Sequence, residues 1–252
     1  MNMMEKRDFL LSRFWIQAVI LVLLFGFFVL GFLAFRTYTG EPPIPKKVIG
    51  PDGRVLFTGA NIMAGQGTFL RNGLMEYGSI FGHGAYLGPD YTADYLHRAA
   101  LMSIEFYKSL GSDRARATTI ADFKTNLYDN SSGTLTFTAA QARALEELEN
   151  YYHTFFAEPT TKDGLRPNAI TDPSDTQDLT AFFAWSAWSA STLRPGLQYS
   201  YTNNWPPEPL VNNQANRRRS RLERPFLGNS PRRHRPVTGC LRPPEFSGLA
   251  WA

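Results

Sequence analysis

The stretch YGSIFGHGAYLGPDYTADYLHR, residues 77–98, has the strongest structural signal in this chain. It contains four glycines, one proline and five aromatic residues around His83, His97 and two aspartates. Glycine is favoured where the backbone turns with a positive φ or where another group approaches closely. The pattern predicts a tight loop that wraps around another group. An aromatic-rich surface loop preceding a helix is the alternative.

Helical patterns surround this loop. Predicted helices cover residues 61–74, 91–110, 113–128, 139–156 and 175–189, with a turn at residues 129–133. Thr92 is the expected N-cap of the second helix, and capping boxes that begin at Thr138 and Ser174 open the last two. The last helix contains Trp185 and Trp188 on a broad aromatic face. Burial of this face in the core is favoured over a ligand-binding box.

An apolar run near the N-terminus predicts a membrane anchor. Residues 14–35 contain no charged side chain and are flanked by Arg13 and Arg36. As a helix this run would be about 33 Å long, enough to cross a hydrocarbon core of about 30 Å. The run is too long for a cleavable signal peptide. Basic residues are equally frequent on both sides of the run, so they do not decide its orientation. A cytoplasmic N-terminus is favoured because a large following domain is exported largely regardless of charge.

The remaining segments complete the predicted organisation. Residues 1–13 form a short cytoplasmic segment, and residues 36–58 form a linker and a β-hairpin that turns at Pro51-Asp52-Gly53. Residues 59–210 form one helical domain, and residues 211–252 form a tail. The overall fold class is therefore mostly α with a small hairpin.

No complete catalytic site is apparent from the residues. His83 and His97 lack the spacing of a metal-binding helix motif, so surface histidines are the favoured interpretation. Cys240 is the only cysteine, which excludes a Cys-x-x-Cys-His haem attachment. The sequence therefore predicts no catalytic residue and no cofactor-binding residue in this chain.

Several segments together resemble a known family. The anchor, the motif GHGAYLGPDYTADYLHR and the later segments FFAWSAWSA and TNNWPPEP resemble the beginning of a quinol-dependent nitric oxide reductase. They are also similar to the membrane-anchored cytochrome c subunit of the related two-subunit enzymes. The resemblance covers residues 10–210. It implies a cytochrome-c-like helical domain on the outer side of the inner membrane.

The chain departs from that cytochrome at the haem. Leu74, Tyr77 and Gly78 stand where the cytochrome has its two cysteines and its histidine, and no methionine follows Met102. A thioether bridge needs cysteine sulfur and axial ligation needs imidazole or a methionine, so the resemblance implies a domain without haem. Bulky side chains should fill the vacated space, since interiors tolerate few voids. The candidates are Leu74, Tyr77, Phe81, Trp185 and Trp188.

The resemblance also implies a structural calcium ion. Gly84 and Tyr86 match the glycine and tyrosine that help to hold calcium against the catalytic subunit in the cytochrome subunit. Calcium takes roughly six to eight oxygen ligands, so the others would come from other sequence. A tight turn with a buried tyrosine is the alternative.

The implied activity belongs to the complete enzyme, which performs 2 NO + 2 e⁻ + 2 H⁺ → N₂O + H₂O with haem b and non-haem iron. This chain is expected to hold no cofactor, to be inactive alone, and to pack against the catalytic membrane-helix bundle within membrane lipid. The alternative is a stand-alone membrane-anchored binding or assembly module with an arginine-rich tail.

The tail differs in charge from the rest of the chain. Residues 1–210 have a net charge of −3, whereas residues 211–252 contain nine arginines, two glutamates and no lysine. This composition predicts disorder and resembles out-of-frame translation, so a frameshifted or truncated product that lost its catalytic core is the favoured interpretation. The alternative is an arm that binds nucleic acid or anionic lipid; nucleic acid is not expected as a partner outside the cytoplasm.

Overall fold

The fold is mostly helical, as predicted, with one long N-terminal helix and a small sheet. The computed structural model describes residues 13–83, 87–158 and 164–210. The predicted cytoplasmic segment 1–13, apart from Arg13, and the predicted disordered tail 211–252 lie outside the described residues.

Helix α1 (Arg13–Thr39) contains the predicted apolar run. It has 27 residues, a mean hydropathy of 2.9 over its most apolar window, and no buried residue. By length and composition it can cross a membrane, and it is the one such helix in the described part of the chain. It is therefore compatible with the predicted anchor.

The predicted hairpin is part of a larger sheet. Strands β1 (Lys47–Ile49) and β2 (Val55–Thr58) pair antiparallel across the Pro51-Asp52-Gly53 turn, as predicted. Strands β3 (Tyr128–Asp129) and β4 (Thr134–Thr136) add to it in the order β2-β1-β4-β3, and β4 runs parallel to β1. Neither β3 nor β4 was predicted, because strands of two or three residues show no periodicity.

The five predicted helices are present with changed boundaries. They are α2 (Gly59–Arg71), α4 (Tyr91–Phe106), α5 (Ser112–Lys124), α6 (Ala139–Phe156) and α7 (Pro173–Ser191). A short helix, α3 (Leu74–Tyr77), follows α2 and was not predicted separately. The region predicted as the end of α4 is instead a 3₁₀ turn, Lys108–Leu110, before Gly111. Helix α5 ends before residue 128, its predicted end, because the chain turns into β3.

Two of the three predicted N-caps are wrong. Asp90, not Thr92, caps α4, and its carboxylate accepts a hydrogen bond from the Ala93 N–H at 3.0 Å. Asp172, not Ser174, caps α7 and accepts from the Ser174 N–H at 2.9 Å, with proline at the first helical position. In both helices the cap is an aspartate just upstream of the predicted residue, a residue type strongly preferred at this position. The capping box that begins at Thr138 is confirmed.

Helix α7 is the central helix of the domain. Every residue from 179 to 192 is buried, and the helix packs against α2, α4 and α6. The predicted burial of its aromatic face is thus confirmed, and from residue 179 onward it extends around all sides of the helix. Trp185 Nε1 donates to the Pro43 carbonyl at 3.0 Å, which fixes the linker after α1 to this core.

Candidate functional site

The loop before α4 is organised around the buried carboxylate of Asp90. This carboxylate is fully buried and accepts hydrogen bonds from Ser79 Oγ at 2.7 Å and from the Gly82 N–H at 2.8 Å. It also caps α4, so a single side chain holds both the loop and the helix. Thr92 has a different role from the predicted cap, since its hydroxyl accepts from the Phe81 N–H at 3.0 Å and donates to Ser186 of α7 at 3.1 Å.

Two glycines let the loop approach aromatic rings closely. Gly82 has a φ of +78°, and a Cβ added to it would lie 2.8 Å from the Trp205 ring. A Cβ added to Gly88 would lie 2.5 Å from the Tyr77 ring. The described part of the loop is therefore wrapped against the protein, as predicted. It also contacts the WPP segment, residues 205–207, which follows α7.

Buried aromatic side chains fill the space behind the loop. Tyr91 stacks on Phe183 with ring centroids 4.6 Å apart and an interplanar angle of 3°. Phe69 meets both rings edge-on, at 5.9 Å from Tyr91 and 6.2 Å from Phe183. Phe156 is also fully buried beside them. Such ring pairs add stability beyond the area that they bury.

Comparison with protein families assigns this domain. Residues 45–207 match the family model of the cytochrome c-like domain of the nitric oxide reductase B subunit. The chain belongs to this family. A comparison with curated proteins found no match. The matched region runs from the linker through the whole helical domain to the WPP segment, so the resemblance to the N-terminal region of this reductase subunit is confirmed.

A c-type haem does not fit the cytochrome c-like domain of this chain. Leu74 and Tyr77, which the resemblance matches to the thioether cysteines, are only 1% and 6% exposed. A Cβ added to Gly78, which the resemblance matches to the axial histidine, would lie 2.4 Å from the Tyr91 ring. An imidazole at this position would therefore displace Tyr91 from its stack on Phe183.

The predicted filling residues are buried or half-buried in the core. Trp185 and Trp188 are 9% and 5% exposed, and Phe81 is half-buried with its ring 5.9 Å from that of Trp185. A gap of about 10 Å³ remains beside Tyr95 and Trp188. This space is about the size of one water molecule. The four largest fully buried side chains among the described residues are Tyr91, Tyr152, Phe156 and Phe183. None of these four was predicted as a filling residue.

The predicted calcium ligands cannot be placed. Gly84 and Tyr86 lie outside the described residues, so the calcium site stays a prediction. Across residues 13–83, 87–158 and 164–210, no group of three or more His, Cys, Asp or Glu side chains could hold a metal ion.

The histidines occupy unrelated positions. His83 is exposed in the loop, and His97 is half-buried on α4. The Nδ1 atom of His97 is buried and has no hydrogen-bond partner among the described residues, and burial lowers the pKa of this imidazole. His153 lies in the last turn of α6, with Nδ1 3.3 Å from the Thr176 hydroxyl.

A partly buried ion pair on α4 was not predicted from the sequence. Arg98 Nε donates to the Asp94 carboxylate at 2.9 Å, and the Tyr152 hydroxyl donates to the same carboxylate at 3.1 Å. The guanidinium lies 4.0 Å from the centre of the Tyr151 ring. Burial, and secondly the Asp94 charge, raise the pKa of Tyr152 well above its ordinary value. The i,i+4 spacing of Asp94 and Arg98 was the available signal. This cluster joins α4 to α6.

The pH dependence of stability should distinguish Asp90 from an exposed aspartate. Burial raises the pKa of Asp90 above its ordinary value of 3.8, although the hydrogen bonds that its carboxylate accepts lower this pKa. Its contribution is therefore fully present below pH 3.8 and is lost as pH rises through the raised pKa. We expect the stability of the wild type relative to Asp90→Asn to be greater at acidic pH than at pH 7, measured by chemical unfolding.

Asp129 provides a control of opposite sign. Hydrogen bonds from Ser132 and Ser131 lower the pKa of this carboxylate to about 2. Its contribution is present above pH 3.8 and is lost as pH falls through about 2. Stability relative to Asp129→Asn should therefore decrease on acidification. The same trend in both comparisons would contradict the burial argument for Asp90.

Proposed function

We propose that this chain provides the membrane anchor and the haem-less extracytoplasmic domain of a quinol-dependent nitric oxide reductase. The observation that supports this proposal is the filled haem position within a domain of the nitric oxide reductase B family. The Tyr91–Phe183 stack lies where an axial histidine at residue 78 would need space. In this proposal the domain stabilises the enzyme and does not transfer electrons.

Electron supply explains why haem is dispensable here. A reductase that oxidises quinol receives its electrons within the membrane, so it needs no extracytoplasmic relay. The reaction 2 NO + 2 e⁻ + 2 H⁺ → N₂O + H₂O would take place at haem b and non-haem iron held by membrane helices outside this chain. In this proposal the chain contributes no catalytic residue, and Gly84 and Tyr86 contribute to a calcium site shared with those helices.

The proposed location follows from α1. This helix would cross the inner membrane with its N-terminus in the cytoplasm, so that the domain would lie outside the cytoplasm. Residues 14–35 carry no charge and no residue of α1 is buried, which supports contact with lipid or with other membrane helices.

An exposed apolar face supports packing against the catalytic bundle. On the outer face of α2, Met63 and Leu70 are 52% and 56% exposed, and Met75 of α3 is 62% exposed. Ala60 and Ala64 are also exposed on α2. Large apolar side chains that cluster on a surface are typical of an interaction site.

The first test is a haem and activity assay on the full chain. We expect the purified chain, produced in a host that matures c-type cytochromes, to show no covalent haem by pyridine haemochromogen spectroscopy and no NO consumption. A c-type cytochrome produced in the same host is the positive control. Covalent haem on the purified chain would contradict the proposal.

The second test is co-expression with the catalytic helices of a quinol-dependent nitric oxide reductase that lacks its own N-terminal region. We expect co-purification and quinol-driven NO consumption. Met63→Glu combined with Leu70→Glu should abolish co-purification, whereas Leu101→Glu, at a 50% exposed position of α4, should not. Failure of the wild-type chain to associate would favour the alternative of a stand-alone binding or assembly module.

A further inference from the structure

A groove with a mixed apolar and basic lining lies between the end of α5 and the loop that follows α7. Its volume is about 500 Å³, and it is open to solvent. Lys124, Asn126, Arg194 and Leu197 are among the residues that line it. Asn126 Nδ2 donates to the Leu193 carbonyl at 3.1 Å, and the Leu193 N–H donates to the Lys124 carbonyl at 3.0 Å. These bonds join the two walls of the groove.

The groove lies beside the end of the membrane anchor. Gly40 directly follows α1, and a Cβ added to Gly40 would lie 3.4 Å from Arg194 Nη1 and 3.0 Å from the Arg36 carbonyl. Arg36 is itself in the last turn of α1. When α1 crosses a bilayer, the Arg194 side of the groove is therefore at the level of the lipid headgroups.

Two cations of the groove are held in place. Arg194 Nε and Nη2 donate to the carbonyls of Ser200 and Tyr201 at 3.2 and 3.0 Å. The remaining guanidinium N–H groups can donate to a ligand. Lys124 Nζ donates to the Pro207 carbonyl at 3.3 Å, and the nearby carboxylate of Glu208 pairs with Arg116 at 3.1 Å.

Apolar and aromatic side chains beside these cations suit a membrane interface. Leu197 and Tyr199 are 41% and 37% exposed on the loop after α7. The Arg194 guanidinium lies 5.6 Å from the centre of the Tyr199 ring. Tyrosine is enriched at the headgroup level of membranes, and basic side chains there attract anionic lipids.

We propose that this groove binds the headgroup of an anionic phospholipid from the leaflet in which α1 ends. Lys124 and Arg194 would contact the phosphate, and Leu197 would enter the acyl boundary. This inference depends on α1 spanning a membrane and is independent of nitric oxide chemistry. Its test therefore has a readout that does not depend on the proposed function.

The test is hydrogen exchange of the full chain in nanodiscs. We expect the amides of residues 193–201 to exchange more slowly in discs that contain phosphatidylglycerol than in discs of phosphatidylcholine alone. Lys124→Gln should weaken this phosphatidylglycerol-dependent slowing of exchange about fivefold, the effect of one basic residue near an anionic surface. Leu197→Gln, which leaves the backbone hydrogen bonds of the loop intact, should weaken it as well.

Two controls define the outcome. Lys108→Gln removes an exposed lysine that pairs with Glu105 outside the groove, and it should leave the lipid dependence unchanged. Inorganic phosphate added to phosphatidylcholine discs should not reproduce the protection. Equal exchange in both kinds of disc, equal loss in the two lysine variants, or full protection by free phosphate would each overturn the proposal.

Discussion

Gly65→Ala should lower the free energy of unfolding by about 3 kcal/mol, at the upper end of the range for overpacking. A Cβ added to Gly65 would lie 2.0 Å from the Asp178 carbonyl oxygen and 2.9 Å from the Phe182 Cβ. Both obstacles are backbone or atoms attached directly to it, so no side-chain rotation relieves the clash. Helices α2 and α7 must separate to accommodate one methyl group.

Gly67 on the same helix provides the matched control. A Cβ added to Gly67 would meet only the end of the flexible Arg71 side chain, at 3.2 Å. Since alanine is favoured over glycine inside a helix by about 1 kcal/mol, Gly67→Ala should leave stability unchanged or increase it. The measurement is urea unfolding of the full chain in detergent, followed by near-UV circular dichroism. Similar losses in both variants would contradict close packing of α2 on α7 at Gly65.

Asp90→Ala should lower the free energy of unfolding by about 4 kcal/mol, because it leaves buried donors without an acceptor and removes a helix cap. The substitution removes the acceptor for Ser79 Oγ and for the N–H groups of Gly82 and Ala93. A buried donor left without a partner costs about 1–3 kcal/mol, and loss of an N-cap costs about 1 kcal/mol. The sum exceeds the effect of a typical substitution because one carboxylate holds the loop and the helix together.

Asp172 tests whether this cost reflects more than helix capping. Asp172 also caps a helix, but it is exposed and its partners belong to the same turn. Asp172→Ala should therefore cost only about 1 kcal/mol. Asp90→Asn should lie between the two at neutral pH, because an amide keeps one acceptor oxygen. Equal effects of the two alanine substitutions, measured by urea unfolding, would show that the loop does not depend on Asp90.

Local sequence patterns determined much of the fold. The Pro51-Asp52-Gly53 turn, the capping box at Thr138 and the apolar run in α1 each identified an element correctly. These signals are local, because turn residues, caps and hydrophobic length act within a few residues of each other. The prediction that the domain holds no c-type haem also follows from residue identity alone, since Leu74 and Tyr77 cannot form thioethers.

Other features depended on residues far apart in the chain. Asp90 caps α4 and also satisfies donors 8 and 11 residues upstream, while Thr92 is engaged with Ser186. The pairing of β1 with β4 joins segments separated by several helices and the loop before α4. No local pattern encodes either arrangement.

The sequence by itself determined that this chain has a long apolar N-terminal helix, a helical domain and no cysteine pair for haem. Only the tertiary structure decided which side chains pack around Gly78. The stack of Tyr91 on Phe183 brings together α4 and α7, which are distant in sequence, and it leaves Gly78 no room for a side chain. Close packing selects one arrangement of bulky rings from many that composition alone would allow.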